Sequence, residues 1–350
     1  MCSDAVRVWA CAAVCVTASL WARTEAHQQT PPASTDAVIA DARKLIAGGN
    51  PSAAIERLKP LVSAPHDPET AADLRAAELL GVAYYQANDA AHAIEQLGRI
   101  VNRLPSDSPE RREAVQVLGL SHYLAGHIPE AIPYLEETRR AVPDDMKLAY
   151  ALAMAYAQTR QPDKARESIA RTFDLAPASA SAHLLTGQMM NRLELEDLAE
   201  AELREALRLD PKLPEVHYLL AQIAIFRSRF DEGLALLQAE LAINPAHGMA
   251  LYRIGDVYVR QEKWTDAIRA LQQSIWVNPY FSGPYILLGK AFSKTGQPGA
   301  AEEMLKHAVG YDPNNRSAHY LLAQVLQQAG KLEEAKREFA IAERLQGDSK

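Results

Sequence analysis

The chain has 350 residues, 48% hydrophobic and 23% charged, with a formal net charge of −7. That apolar fraction excludes wholesale disorder, and 7% aromatics beside abundant Ala and Leu favour close-packed helices over a β-sandwich. Basic residues run no longer than pairs such as Arg111-Arg112 and Arg139-Arg140, so no cluster exists to displace counterions from phosphates and no nucleic-acid partner is expected.

In chain order, the first feature is an apolar stretch at residues 8–22, flanked by Arg7 and Arg23. It has the length of the apolar region of a secretory signal peptide and falls short of a membrane-spanning helix of roughly 20 residues. Thr24 and Ala26 place small residues three and one positions before a cut, so residues 1–26 read as a signal peptide and residues 27–35, rich in Gln and Pro, as a flexible mature N-terminus. The expected location is the periplasm or the outside of the cell; the alternative is an uncleaved anchor in an inner membrane with the domain outside the cytoplasm. Cys2, Cys11 and Cys15 all lie in this segment, so cleavage leaves a chain without disulfides, thiolate metal sites or cysteine nucleophiles. No later apolar run reaches spanning length.

From there a period dominates. Pro143, Pro177, Pro211, Pro245, Pro279 and Pro313 stand 34 residues apart. Twenty-four residues before each lies Gly or Ala (Gly119, Ala153, Gly187, Ala221, Gly255, Gly289), and twelve before lies another small residue (Ala131, Ala165, Ala199, Gly233, Ala267, Ala301). Eight before lies Leu or Ile: Leu135, Ile169, Leu203, Leu237, Leu271 and Leu305. Each unit carries two apolar patterns of helical period around a polar break, such as Gly126, Gly296 or Gly330. The small columns predict where two helices cross closely, and the Leu/Ile column predicts what fills the space beside them. One hairpin cannot bury both faces, so neighbours must stack.

These columns resemble the tetratricopeptide repeat, whose Leu-Gly, aromatic, Ala, Leu and closing Pro stand here as Ile254-Gly255, Tyr258, Trp264, Ala267, Leu271 and Pro279. Leu288-Gly289, Phe292, Ala301, Leu305, Ala308 and Pro313 carry the next unit. The resemblance implies an all-α solenoid, an α-α superhelix of about nine stacked hairpins over residues 36–346. The units fall at 35–68, 74–107, 112–145, 146–179, 180–213, 214–247, 248–281, 282–315 and 316–346, with a tail at 347–350.

In this family the first helix of each unit lines an inner groove. At 100° per residue, a second stripe of that helix falls 27, 23 and 20 residues before each proline. Its candidates for gripping a protein or peptide segment are Tyr150, Met154, Gln188, Asn191, Tyr218, Gln222, Tyr252, Asp256, Lys290, Tyr320 and Gln324. Tyr recurs at the first position beside Gln or a charge, offering contact area at low entropic cost. The competing reading is packing between successive first helices. Replacing Tyr218 and Tyr252 by Ala separates the two readings, the groove reading expecting lost capture with an unchanged melt.

No catalytic constellation is expected: there is no glycine-rich phosphate loop, no Gly-x-Ser-x-Gly and no His-Glu-x-x-His. His183, His217 and His319 share one column, on the order of 10 Å apart between successive helices, too far to share a metal. Glu-rich stretches such as 194–205 and 333–338 read as solvated faces. No cofactor or metal is expected. Ile341 and Leu345 on the last helix suggest self-association through that end. The resulting expectation is a non-catalytic interaction scaffold; the alternative is an accessory subunit of a glycan-handling or cell-envelope assembly machinery, held by its N-terminal segment.

Overall fold

The computed structural model describes residues 34–62 and 70–347; the expected signal peptide, the segment before residue 34, residues 63–69 and residues 348–350 lie outside the described residues. The described residues form eighteen α-helices in nine hairpins and no strand. The first three hairpins are α1 (Thr35–Ala47) with α2 (Pro51–Val62), α3 (Ala71–Gln86) with α4 (Ala90–Ile100), and α5 (Pro109–Leu124) with α6 (Ile128–Ala141). The middle three are α7 (Met146–Gln158) with α8 (Pro162–Thr172), α9 (Ala180–Arg192) with α10 (Glu196–Leu209), and α11 (Val216–Phe226) with α12 (Phe230–Ile243). The last three are α13 (Gly248–Arg260) with α14 (Trp264–Val277), α15 (Ser282–Lys294) with α16 (Pro298–Tyr311), and α17 (Arg316–Gln328) with α18 (Leu332–Gly347). Among the described residues no helix is long and apolar enough to cross a membrane.

Local chemistry sets the boundaries. First helices start on side-chain caps: Ser34, Ser108, Asp145, Ser179 and Asn315 each accept a backbone N–H of the first turn, and Thr70 with Asp73 forms a reciprocal capping box. Residues 108–111, which the 34-residue ruler leaves over, become the cap and first turn of the longer α5. Every hairpin then turns through one residue in the left-handed region. Gly49, Gly126, Gly296 and Gly330 adopt it freely; Asn88, Arg160, Glu194, Ser228 and Glu262 adopt it against their Cβ.

The small columns sit where the helices cross. A Cβ at Gly187, Gly255 or Gly289 would stand 2.7, 2.5 and 2.4 Å from the side chain of Leu203, Leu271 and Leu305 respectively. All three leucines are fully buried, each contributing about 2 kcal/mol of apolar burial. Consecutive hairpins stack in sequence order through contacts such as α10 on α11 and α14 on α15. Successive first helices also touch directly, α1 with α3, α3 with α5, α13 with α15 and α15 with α17, whereas no two second helices pack comparably among the described residues. Curvature of that sense puts the first helices on the inner face.

Candidate functional site

Across the middle of this inner face, α9, α11 and α13 enclose a cleft of about 630 Å³. Asn191 and Gln222 line it with Ile225, Phe226, Arg253 and Arg260, so two of the eleven groove candidates meet there. Phe226 is 74% exposed although it follows the apolar face of α11. Arg260 bonds Asp256 at 3.0 Å and Arg253 approaches the same carboxylate at 3.9 Å, while Glu194 and Glu196 line the cleft from the α9–α10 side, so its walls carry both signs of charge. Arg253 also lies over the Tyr252 ring at 5.6 Å, and the Phe281 ring meets Tyr252 edge-on at 5.0 Å. Burial pushes the Tyr252 hydroxyl above its ordinary pKa, with the Asp256 charge adding to the effect.

The other candidates separate. Tyr150, Lys290 and Tyr320 are exposed, and Tyr320 rests edge-on against Phe339 of α18 at 5.6 Å. Met154, Gln188, Tyr252 and Gln324 are half-buried. Tyr218 and Asp256 are only 9% exposed. Tyr218 packs with Ala221, Ile225 and Leu237, and its ring lies 4.7 Å from that of His247. An unchanged melt is therefore not expected of a Tyr218→Ala variant, because the side chain belongs to the buried cluster shared by α11, α12 and α13. The third stripe position turns inward in three units, where Ala157, Ile225 and Val259 are buried, and stays partly or fully open at Asn191, Ser293 and Gln327.

The column histidines have local partners. His183 Nδ1 pairs with Glu202 Oε2 at 2.7 Å, and His319 Nδ1 with Glu338 Oε2 at 2.6 Å, the same two columns 19 residues apart. His217 has Leu236 in that partner position; its Nδ1 is buried without a hydrogen bond, and desolvation lowers its pKa. Glu202 corrects the reading of residues 194–205 as a solvated face: it is buried between His183 and Arg166, which bonds it at 2.7 Å. His122 stacks on Tyr134 at 5.7 Å, with His127 at 5.8 Å.

Glu215, Glu240 and His247 bring three potential metal-ligand atoms within 4.8 Å of one another. Their hydrogen bonds already commit them. Glu240, wholly buried on α12, accepts the backbone N–H of Glu215 at 3.0 Å and of Tyr218 at 3.4 Å, capping α11 from its partner helix. His247 Nδ1 accepts the Ala250 N–H at 3.1 Å, which puts the ring proton on Nε2, where it donates to Glu215 at 3.1 Å. A metal on Nε2 would have to displace that proton, so the trio acts as two helix caps joined by one hydrogen bond.

Reading the sequence for a regular stripe missed Phe226, Arg253 and Arg260. The repeat itself carries their signal. Nineteen residues before each proline stand Leu124, Gln158, Arg192, Phe226, Arg260 and Lys294, and Phe226, like Leu124, departs from an otherwise polar column. Twenty-six before stand Leu185, Leu219, Arg253 and Leu287, and Arg253 breaks an apolar one.

Two tetratricopeptide-repeat family models match, one over residues 40–109, 117–171, 150–214 and 218–275 and the other over residues 294–349. Curated proteins yield no significant match. Similar solved structures include MamA from Desulfovibrio magneticus RS-1, 22% identical over 48% of this chain and 96% of that one, with a TM-score of 0.45. Cut9 in an APC/C hetero-tetramer with Hcn1 is 18% identical over 84% of this chain and 56% of that one, at 0.44. YrrB, described as a tetratricopeptide-repeat protein with an unusual peptide-binding site, is 18% identical over 52% of this chain and 94% of that one, at 0.45. With repeat matches over most of its length, the chain belongs to the tetratricopeptide-repeat family.

Proposed function

We propose that the protein is a non-catalytic interaction scaffold that holds a segment of a partner protein in the groove of its first helices. One observation carries this reading: Phe226 stands exposed in a cleft whose opposite wall places two guanidinium groups on a single carboxylate. An exposed aromatic anchor beside charged groups of both signs suits a peptide hot spot, with Asn191 and Gln222 positioned to hydrogen-bond the peptide backbone. Tyr150 and Tyr320 extend the same inner surface toward the two ends. Export rests on the sequence of residues 1–26 alone, and N-terminal sequencing of the protein from envelope fractions tests it.

The binding test is affinity capture with the intact protein and with Phe226→Asp and Arg253→Glu variants. Phe226 is exposed and Arg253 half-buried, and a matched circular-dichroism melt verifies that each variant keeps the fold. The proposal expects both variants to lose the same captured polypeptide. Retention of that polypeptide by both variants refutes the cleft as its seat.

A further inference from the structure

The repeat supplies its own control for a second surface, away from the groove. Three residues before the closing prolines stand Arg140, Asp174, Arg208, Ala242, Trp276 and Gly310; one residue after them stand Asp144, Ala178, Lys212, Ala246, Tyr280 and Asn314. Trp276 and Tyr280 thus replace charged or small residues, and they are 89% and 77% exposed, more than any other large apolar side chain among the described residues. Packing does not account for either.

The sequence that carries them is neutral. Residues 270–289 carry no charged side chain, nor do residues 241–252 of the preceding unit, in a chain 23% charged. The equivalent edge of the earlier units presents Arg139, Arg171, Arg208 and Lys212 with Asp144, Asp174 and Asp210. Beside Trp276 the edge is dented: Leu241, Pro245, Leu251, Gln273, Trp276 and Val277 enclose about 350 Å³, at the small end of ligand sites and with the usual makeup of apolar walls and one amide. Tyr280 meets Tyr311 edge-on at 5.8 Å, and Tyr311 packs on Tyr285. The Tyr285 hydroxyl donates to the Pro279 carbonyl at 2.8 Å, fixing the turn that carries Tyr280.

We propose that this edge binds a neutral, β-linked hexopyranose chain, with one ring seated in the dent against Trp276 and the next lying toward Tyr280. A pyranose with equatorial substituents presents a flat C–H face to an aromatic ring and hydroxyls at its rim, where the Gln273 amide in the lining of the dent supplies both a donor and an acceptor. A charged ligand finds no counter-charge along residues 270–289. The site lies on α14 and the turn after it, so it is independent of the groove proposed for the protein partner.

The test is titration of the full chain with hexamers of β-1,4-linked glucose and of β-1,4-linked N-acetylglucosamine, read by tryptophan emission and by calorimetry. The expected result is a saturable blue shift with at least one sugar. Trp276→Ala and Tyr280→Ala should each weaken binding about tenfold, the scale of one lost aromatic contact, while Phe226→Ala leaves it unchanged. Both substitutions remove exposed side chains, and an unchanged thermal melt confirms the fold. The proposal fails if neither sugar gives a saturable signal, or if Trp276→Ala binds as the parent does. It also fails if gel filtration shows a dimer that Trp276→Glu dissolves, since a second copy then covers the ledge.

Discussion

Glu78 offers the sharpest stability test. It lies on α3, wholly buried, and neither carboxyl oxygen has a hydrogen-bond donor. Burial, with the charges of Glu113 and Glu110 on α5, raises its pKa from 4.5 to about 8, and Arg43 on α1 opposes the shift only in part. Below pH 4.5 both folded and unfolded chains hold the proton. Between pH 4.5 and about 8 only the folded chain holds it, so unfolding releases a proton and stability falls as pH rises. The slope reaches about 1.4 kcal/mol per pH unit, several kcal/mol over the interval, and flattens above it. Glu78→Gln keeps the shape and removes the titration. Urea unfolding followed by circular dichroism from pH 5 to pH 8 should show the parent losing stability relative to the variant, with Glu78→Gln the more stable at pH 8. Parallel pH profiles for the two proteins would refute the reasoning.

Other substitutions test the packing. At Gly255 the new Cβ meets only side-chain atoms of Leu271, and Ala153 and Ala221 fill the same column elsewhere, so Gly255→Ala should stay within about 1 kcal/mol of the parent and Gly255→Val should cost roughly 2–3 kcal/mol in urea melts. Glu240→Ala leaves two buried N–H groups at the start of α11 without acceptors and should cost about 2 kcal/mol, with faster amide exchange at Tyr218. Glu262→Gly relieves a left-handed backbone position at the α13–α14 turn and should raise stability by up to about 1 kcal/mol in the same assay. Tyr218→Ala should lower the melting temperature measurably, whereas Tyr320→Ala should not, because the first ring is core and the second is largely exposed.

The fold was legible because tight packing repeats its demands. Gly187, Gly255 and Gly289 announce a helix crossing that only small residues permit, and they recur at a fixed interval because each unit solves the same problem. Buried acids carry no such local mark. Glu78, Glu202 and Glu240 look like ordinary helix-surface carboxylates, and their burial is decided by what the neighbouring helix or hairpin lays over them: Arg166 for Glu202, the bare N-terminus of α11 for Glu240. The packing of Tyr218 was hidden for the same reason, since His247 at the start of the next hairpin closes over its ring. The residues proposed for the two sites lie in departures from the period. Phe226, Arg253, Trp276 and Tyr280 each break a column whose other members show what packing alone requires, and a search for a recurring stripe discards such breaks.

The central claim, that a partner segment lies along the first helices, is tested most directly by site-specific photo-crosslinking in the native cell. A photoreactive phenylalanine analogue is placed in turn at Phe226 and Tyr320 on the inner face, and at Phe173 and Leu209, exposed at the ends of the second helices α8 and α10. The account predicts one common polypeptide crosslinked from the two inner positions and lost when Arg253→Glu is added. Crosslinks to that polypeptide from Phe173 and Leu209, with none from Phe226 or Tyr320, would contradict it.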